Sequence, residues 1–396
     1  MLRSLFAGIS GLRAHQQMMD VTGNNIANVN TIGYKSSQTV FQDTLSQMVN
    51  AAGAPQNQAG GTNPAQVGLG VSTASINANF GQGAAETTGK ASDMLVQGDG
   101  FFVIRNGGES LYTRAGSFTF DANGSLTTPN GQIVQGWSAT NGVVNTANAP
   151  GDVKLPIGLM LAPSVTSNIT MTGNFSDEAV AGVTLQETVT TYGANGAAVP
   201  TVLTFAKLDP STWSLTLPDG STNNIVFAAG KAVGAPDPLT GADTGKITVG
   251  SFTFDVHSIT QYSGDTTAHV SNSDGSASGV LASYSVSNTG QIVGQFSNGL
   301  KQVLGQLALA NFNNVNGLEK IGDSMFRSTV NSGLAQVGAA GSQGLGLITS
   351  GALEMSNVDL AQEFTNLVIA QRGFQANSRV ITTSDEILQE LVNLKR

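Results

Sequence analysis

Three histidines, His15, His257 and His269, are the residues of this chain best suited to proton transfer or metal binding near neutral pH. They lie far apart, and none has a second ligand at the spacing a zinc site uses. Phosphate or dinucleotide chemistry would need a glycine-rich loop opening a helix. Gly68-Leu69-Gly70 and Gly344-Leu345-Gly346 stop short of that fingerprint, and Gly89-Lys90 lacks the glycine five positions before Gly89. Asp121 and Asn123 ahead of Gly124 sketch the start of a calcium loop without its bidentate glutamate, so a plain β-turn is expected there. Cysteine is absent, which removes disulfides, thiolate ligands and thiol nucleophiles. A hydrolytic site would have to draw on scattered carboxylates, such as Asp219, Asp237 and Asp255, converging in three dimensions. These patterns assign no catalytic, cofactor-binding or metal-binding residue.

The elements that would have to position any such chemistry are more informative. Only 11% of the 396 residues are charged, against about 25% in an ordinary soluble domain. With 49 glycines and a net charge of −9, the surface is polar but nearly uncharged, so copies of the chain can pack with few ions to desolvate. No basic run is present, and binding to a phosphate backbone is not expected. No apolar run reaches the ~18 residues that a membrane-spanning helix needs, so membrane insertion is not expected either. The start, MLRSLFAGISGLRAHQQ, resembles a signal peptide only briefly. Gly and Ser break its apolar run, and Arg13 and His15 stand where a small-residue cleavage site belongs, so export without cleavage is expected.

Both ends of the chain read as long amphipathic helices. Near the start, Leu5, Ile9, Leu12, Met19 and Ile26 recur at steps of three, four or seven, a heptad-like seam ending around Asn28 to Asn30. Near the end, Leu360, Phe364, Leu367, Phe374, Ile381, Leu388 and Val392 follow one alternating register, interrupted by Gln371, Ser378 and Asp385. Ser356 and Asp359 look like a capping box. A helix from 357 to 394 would be about 55 Å long, beyond the span of a small domain, and its polar interruptions suit an interface that specifies register. The expectation is that the two helices pair with each other.

Between the helices the grammar is β. Residues 46–68 are rich in Gly, Ala, Gln and Asn and read as an extended or irregular connector. Met94 to Val96 lead into Gly98-Asp99-Gly100, with Phe101 to Ile104 as the returning strand. Asn130-Gly131 is a hairpin signal, and Val303 to Phe312 is a long apolar strand candidate. The Thr/Gly/Ala-rich middle, from about 145 to 280, carries its own candidates at Val202 to Phe205, Trp213 to Leu217 and Ser251 to Val256.

The run GISGLRAHQQMMDVTGNNIANVNTIGYK, with Asn24, Asn25, Ile26, Ala27 and Asn28 followed by Gly33, Tyr34 and Lys35, resembles the N-terminal signature of bacterial flagellar rod and hook proteins. GALEMSNVDLAQEF and IAQRGFQANSRVITTSDEILQELVNL resemble the matching C-terminal end, and MLVQGDGFFVI, YTRAGSFTFDANGSL and VLGQLALANF fit internally. The resemblance implies a mainly β, discontinuous multidomain chain with terminal α-helices pairing as a coiled coil. Residues 1–33 and 355–396 would form the helical domain and 34–70 the connector. Residues 71–145 with 281–354 would form an inner β domain, into which an outer β domain, 146–280, is inserted. It further implies a homopolymer in the extracellular flagellum, contacting hook cap, distal rod and hook–filament junction proteins after passage through the flagellar export apparatus, with no cofactor. Distal-rod subunits of the family are shorter, so the insert favours a hook subunit. A distal-rod-like subunit with an unusual insert is the alternative, and a secreted β-rich adhesin or glycan-processing enzyme the remoter one.

Overall fold

The computed structural model describes residues 2–55, 60–155, 158–234 and 245–393. The chain forms two compact units: Met1–Pro156 with Tyr284–Val293 and Val303–Arg396, and Ile157–Ser283 with Gly294–Gln302.

The first unit opens with α1, Leu2–Ala27. Its three interior glycines each cost about 1 kcal/mol of helix propensity relative to alanine, so tertiary packing must hold it. It ends where the Asn28 N–H bifurcates between the carbonyls of Asn24 and Asn25. The closing helix, α2, runs Leu360–Asn393. Its N-cap is Asp359, whose Oδ1 accepts from the N–H groups of Ala361 and Gln362. The capping box read from Ser356 is therefore shifted by three residues. Glu363 in the first turn complements the positive end of the helix.

The stretch read as an extended or irregular connector carries extended strands that pair with one another and with the strand after it. Ser37–Asp43 pairs antiparallel with Val71–Ala78, and Ser46–Asn50 pairs with Ala65–Gly68. Its low-complexity part, 46–68, hid the strands at Ser46–Asn50 and Ala65–Gly68, whose residue types carry little apolar alternation. It packs few side chains of its own: Leu45 is 83% exposed, and Met48, Val49 and Val67 are also exposed.

The body of the first unit is an antiparallel sheet. Glu319–Gly322, Met325–Arg327, Glu109–Thr113, Phe101–Asn106, Ile133–Thr140 and Lys301–Asn311 lie side by side in that order. Phe101, Val103, Tyr112, Trp137, Ala308, Ala310, Phe312 and Phe326 form its core. Aromatic edges such as Tyr112 against Phe312, with ring centroids 4.7 Å apart, fix the packing. Met94–Gln97 does not pair with the strand that follows it, as the sequence had suggested. Its partner is Leu347–Ser350, and Ala85–Thr87 pairs with Ala352–Glu354. The turn at Gly98 to Gly100 thus reverses the chain without making a hairpin, because the C-terminal segment supplies the hydrogen bonds.

The second unit is a mixed sheet. Its strands lie in the order Thr184–Tyr192, Ala198–Asp209, Thr212–Thr216, Thr222–Ala228, Lys231–Val233, Phe252–Tyr262, Asn168–Ser176 and His269–Ser273. Phe252–Tyr262 and Asn168–Ser176 run parallel, and Lys246–Val249 pairs off the former. Alternation sends Leu203, Phe205, Trp213, Leu215, Ile225 and Phe254 to one face, all at 0% exposure.

Candidate assembly interface

The two terminal helices pack together within the first unit, along a line other than the apolar seams. Gly8, Gly11, Ala14, Thr22 and Asn25 are the buried positions of α1. On α2 the contacts fall at Glu363, Gly373, Asn377 and Ile381, and Ala370 and Ser384 are the buried residues. A Cβ on Gly11 would stand 2.7 Å from the Asn377 amide, and one on Gly373 would stand 2.5 Å from the His15 ring. Ile381 fills the space beside Gly8, where a Cβ would meet its Cγ1 at 3.2 Å. Small residues let the backbones approach, and this close approach selects the line. Much of it lies one residue before the expected register, a rotation of about 100°.

The expected seam residues are consequently left to the sides. Leu5, Ile9, Leu12, Met19 and Ile26 on α1, and Leu367, Ile381 and Leu388 on α2, are half-buried. Leu360, Phe364, Phe374 and Val392 are exposed, at 41%, 55%, 37% and 69%. Phe6, Val368, Ile369, Val380, Ile387 and Leu391 are exposed as well. Of the expected line, Ile381 is the residue shown to touch α1. The correction has a plain cause: heptad reading ranks side chains by apolarity, whereas this helix pair is closed by glycine, alanine, asparagine and serine.

Below the helices, the residues of the two terminal signatures meet in a polar junction. Asn25 is 1% exposed and uses both ends of its amide. Its Nδ2 donates to the Ser37 carbonyl at 2.8 Å and to Glu363 Oε1 at 3.0 Å, while its Oδ1 accepts from Ser37 N and Tyr34 Oη. One side chain thereby ties α1, the following loop and α2, with its donors and acceptor fully used. Asn24 Oδ1 accepts from Asn28 Nδ2 and braces the end of α1; Ile26 is half-buried, and Ala27 is exposed. Gly33 has φ +67°, and its N–H donates to the Glu354 carbonyl at 2.7 Å. A Cβ there would strike the backbone of Ala115 at 2.4 Å, so both conformation and contact require glycine.

Lys35 closes the junction. Its ammonium donates to Glu354 Oε1 at 2.6 Å and to the Gly81 carbonyl at 2.9 Å, and both charged side chains are fully buried. Gly83 N donates to the same carboxylate, and Arg114 Nη1 stands 3.5 Å from its other oxygen. Burial pulls Lys35 below the usual lysine value and Arg114 below the usual arginine value, and Glu354 opposes both shifts. Lys320, also lowered by burial, donates to the Lys35 carbonyl at 2.7 Å and lies over the Tyr34 ring. Burial raises the Tyr34 hydroxyl, and Glu363 adds to the shift. Asn357 accepts from Ser36 N and donates to the carbonyls of Asn79 and Gly81. Sequence reasoning missed Glu354, Asn357 and Arg114. The available signal was a lone carboxylate inside the apolar run Ala352-Leu353-Glu354-Met355 of a chain with few charges.

The candidate chemical residues do not gather. His15 sits between the helices with its ring 5.8 Å from Phe41, His257 N bonds Asp255 Oδ1, and His269 lies near Thr172. Asp121 Oδ1 accepts from the N–H groups of Asn123 and Ser125, closing its own turn. Asp219 does the same for Ser221, and Asp237 lies outside the described residues. No group of three metal-ligating side chains occurs among the described residues. What the arrangement does is geometric: it fixes where two helices leave a β body.

Three family models match the chain. A flagella basal body rod protein model covers residues 5–35, a flagellar hook protein FlgE/F/G D1 domain model covers 95–177, and a flagellar basal body rod FlgEFG protein C-terminal model covers 349–394. The chain is 40% identical to the flagellar hook protein FlgE of Borreliella burgdorferi and 36% identical to that of Treponema pallidum, over 100% of both chains in each case. It is 33% identical to the flagellar basal-body rod protein FlgG of Bacillus subtilis, again over 100% of both. Among solved structures it is similar in fold to the Helicobacter pylori flagellar hook protein FlgE2, with a TM-score of 0.53, 14% identity, and coverage of 68% of this chain and 100% of that one.

Proposed function

We infer the function from one premise: the chain belongs to the flagellar hook and rod protein family. It is a structural subunit of the bacterial flagellar hook, a homopolymer at an extracellular location, and its family is not an enzyme family.

The finer reading is a curved tube that carries torque from rod to filament. One observation supports it above the others. α1 and α2 spend their small residues on each other and leave Phe6, Phe364, Val368, Ile369, Phe374 and Leu391 uncovered. An apolar surface of that kind gains roughly 25 cal/mol for each Å² removed from water, and neighbouring copies of the same helix pair are its cover in the polymer. The seam residues Leu5, Ile9, Leu12, Met19, Ile26, Leu360, Phe364, Leu367, Phe374, Ile381, Leu388 and Val392 thus serve contacts between subunits more than contacts within one. The hook cap, the distal rod and the hook–filament junction proteins meet the polymer at its growing tip and its two ends, and the flagellar export apparatus delivers the subunits.

A distal-rod-like subunit is the second reading. It is favoured by the full-length likeness to a rod protein, which removes length as a discriminator. Electron microscopy of polymers grown from the purified chain separates the two, since the hook reading requires curved tubes and straight ones overturn it. A chain ending at residue 356 should keep both β units folded and form no tube. Normal tubes from it would refute the assembly role of α2.

A further inference from the structure

We propose that Asn106–Gly107 and Asn141–Gly142 are the two positions at which this protein deamidates spontaneously, and that the fold protects its other Asn–Gly pairs. The inference is independent of the role in the hook.

An asparagine followed by glycine is the dipeptide most open to this reaction, because no Cβ hinders the following backbone nitrogen. Further pairs occur at Asn123–Gly124, Asn130–Gly131, Asn195–Gly196, Asn298–Gly299 and Asn316–Gly317. The reaction begins when the glycine nitrogen, having lost its proton, attacks the asparagine Cγ. The Cγ–Nδ2 bond breaks and ammonia leaves, giving a five-membered succinimide. Water then opens the ring at either carbonyl, producing aspartate or isoaspartate. The step therefore needs a free glycine N–H and a turn that can rearrange.

Exposure does not separate the candidates, for Asn123, Asn130, Asn195 and Asn316 are exposed alongside Asn106 and Asn141. Hydrogen bonding does. Gly124, Gly131, Gly196, Gly299 and Gly317 each donate their N–H to a carbonyl three residues back, those of Asp121, Thr128, Gly193, Phe296 and Asn314, at 2.9 to 3.2 Å. In each the attacking nitrogen is tied into its own turn. Gly107 and Gly142 make no such bond among the described residues. Both sit in two-residue hairpin loops, closed by the pairs Asn106↔Glu109 and Thr140↔Val143. There the ladder bonds belong to the flanking residues, which leaves the Gly107 and Gly142 N–H groups without a backbone acceptor among the described residues.

The test is peptide mapping by mass spectrometry, with detection of isoaspartate, after the purified full-length chain is held at physiological temperature and slightly basic pH. Asn106 and Asn141 should convert roughly five- to tenfold faster than any of the other five, the factor that one turn hydrogen bond supplies. In strong denaturant all seven rates should converge. Gly142→Ala should slow Asn141 and leave Asn106 unchanged. The proposal is overturned if any of the five protected pairs keeps pace in the folded chain, if Asn106 and Asn141 are as slow as the rest, or if the same ranking persists after unfolding.

Discussion

Around Trp213 the large side chains of the second unit point at one another, while along α1 and α2 they point away. Trp213, Phe175, Phe205 and Phe254 are wholly buried there, with the rings of Phe175 and Trp213 4.6 Å apart. Between the helices the most deeply buried side chains are alanine, threonine, asparagine and serine. The first region completes its core within one copy. The second closes only its backbone approach, and its apolar residues are available to other copies. On the proposed assembly reading, stability and assembly draw on different residues of one chain, and the same kind of substitution should read differently in the two places.

The largest stability effect should come from Trp213→Ala, which empties the centre of a finished core. A loss of about 3–5 kcal/mol is expected, seen as a lowered denaturant midpoint for the second unit. A cost confined to a few tenths of a kcal/mol would mean that this core is no tighter than the helix pair. Next, Glu354→Gln leaves the buried ammonium of Lys35 without a counter-charge. It should cost roughly 3 kcal/mol, read as a lowered denaturant midpoint for the first unit. Lys35→Met combined with Glu354→Leu should not recover the loss, because the buried Arg114 loses the same carboxylate. Gly373→Ala drives a methyl group toward the His15 ring. It should cost about 1–2 kcal/mol, read as earlier loss of helical circular dichroism on heating, and adding His15→Ala should relieve it. Smallest is Phe364→Ser, which should change monomer stability by less than about 0.5 kcal/mol yet block tube formation in a sedimentation assay. A large stability loss here would show that Phe364 belongs to an intramolecular core after all.

This contrast also explains what could be read from the residues alone. The middle strands around Val202, Trp213 and Phe254 followed from alternation, because each buries one regular face. The strand now seen at Lys301–Asn311 followed from its apolar run, being buried on both faces from Gly305 to Ala310. The terminal helices followed from the spacing of apolar residues that they leave half-buried or exposed. The partner of Met94–Gln97 did not, since its hydrogen bonds come from Leu347–Ser350, some 250 residues later, and no local pattern encodes that pairing. The contact line between the helices was misplaced for a different reason. Apolarity marks where a helix seeks cover, and on the proposed assembly reading that cover comes from other copies. The signature motifs were recognisable as sequence, but their work lies in the hydrogen bonds of Asn25, Gly33 and Lys35, which depend on Glu354 and Glu363 from the opposite end of the chain.

That meeting of the two ends has a mechanical consequence. The backbone enters and leaves the helix pair at two adjacent passages, Gly33 to Ser37 and Glu354 to Asn357. They are fastened side by side through Gly33 N to the Glu354 carbonyl, Ser36 N to Asn357 Oδ1, and the Lys35–Glu354 ion pair. A pull along α1 or α2 therefore loads both passages together. The crosswise fastenings are strained in shear, as a set, and are not peeled apart one after another. The junction thus acts as a rivet between the helices and the β body, and a pull on either helix reaches both passages through the same three fastenings.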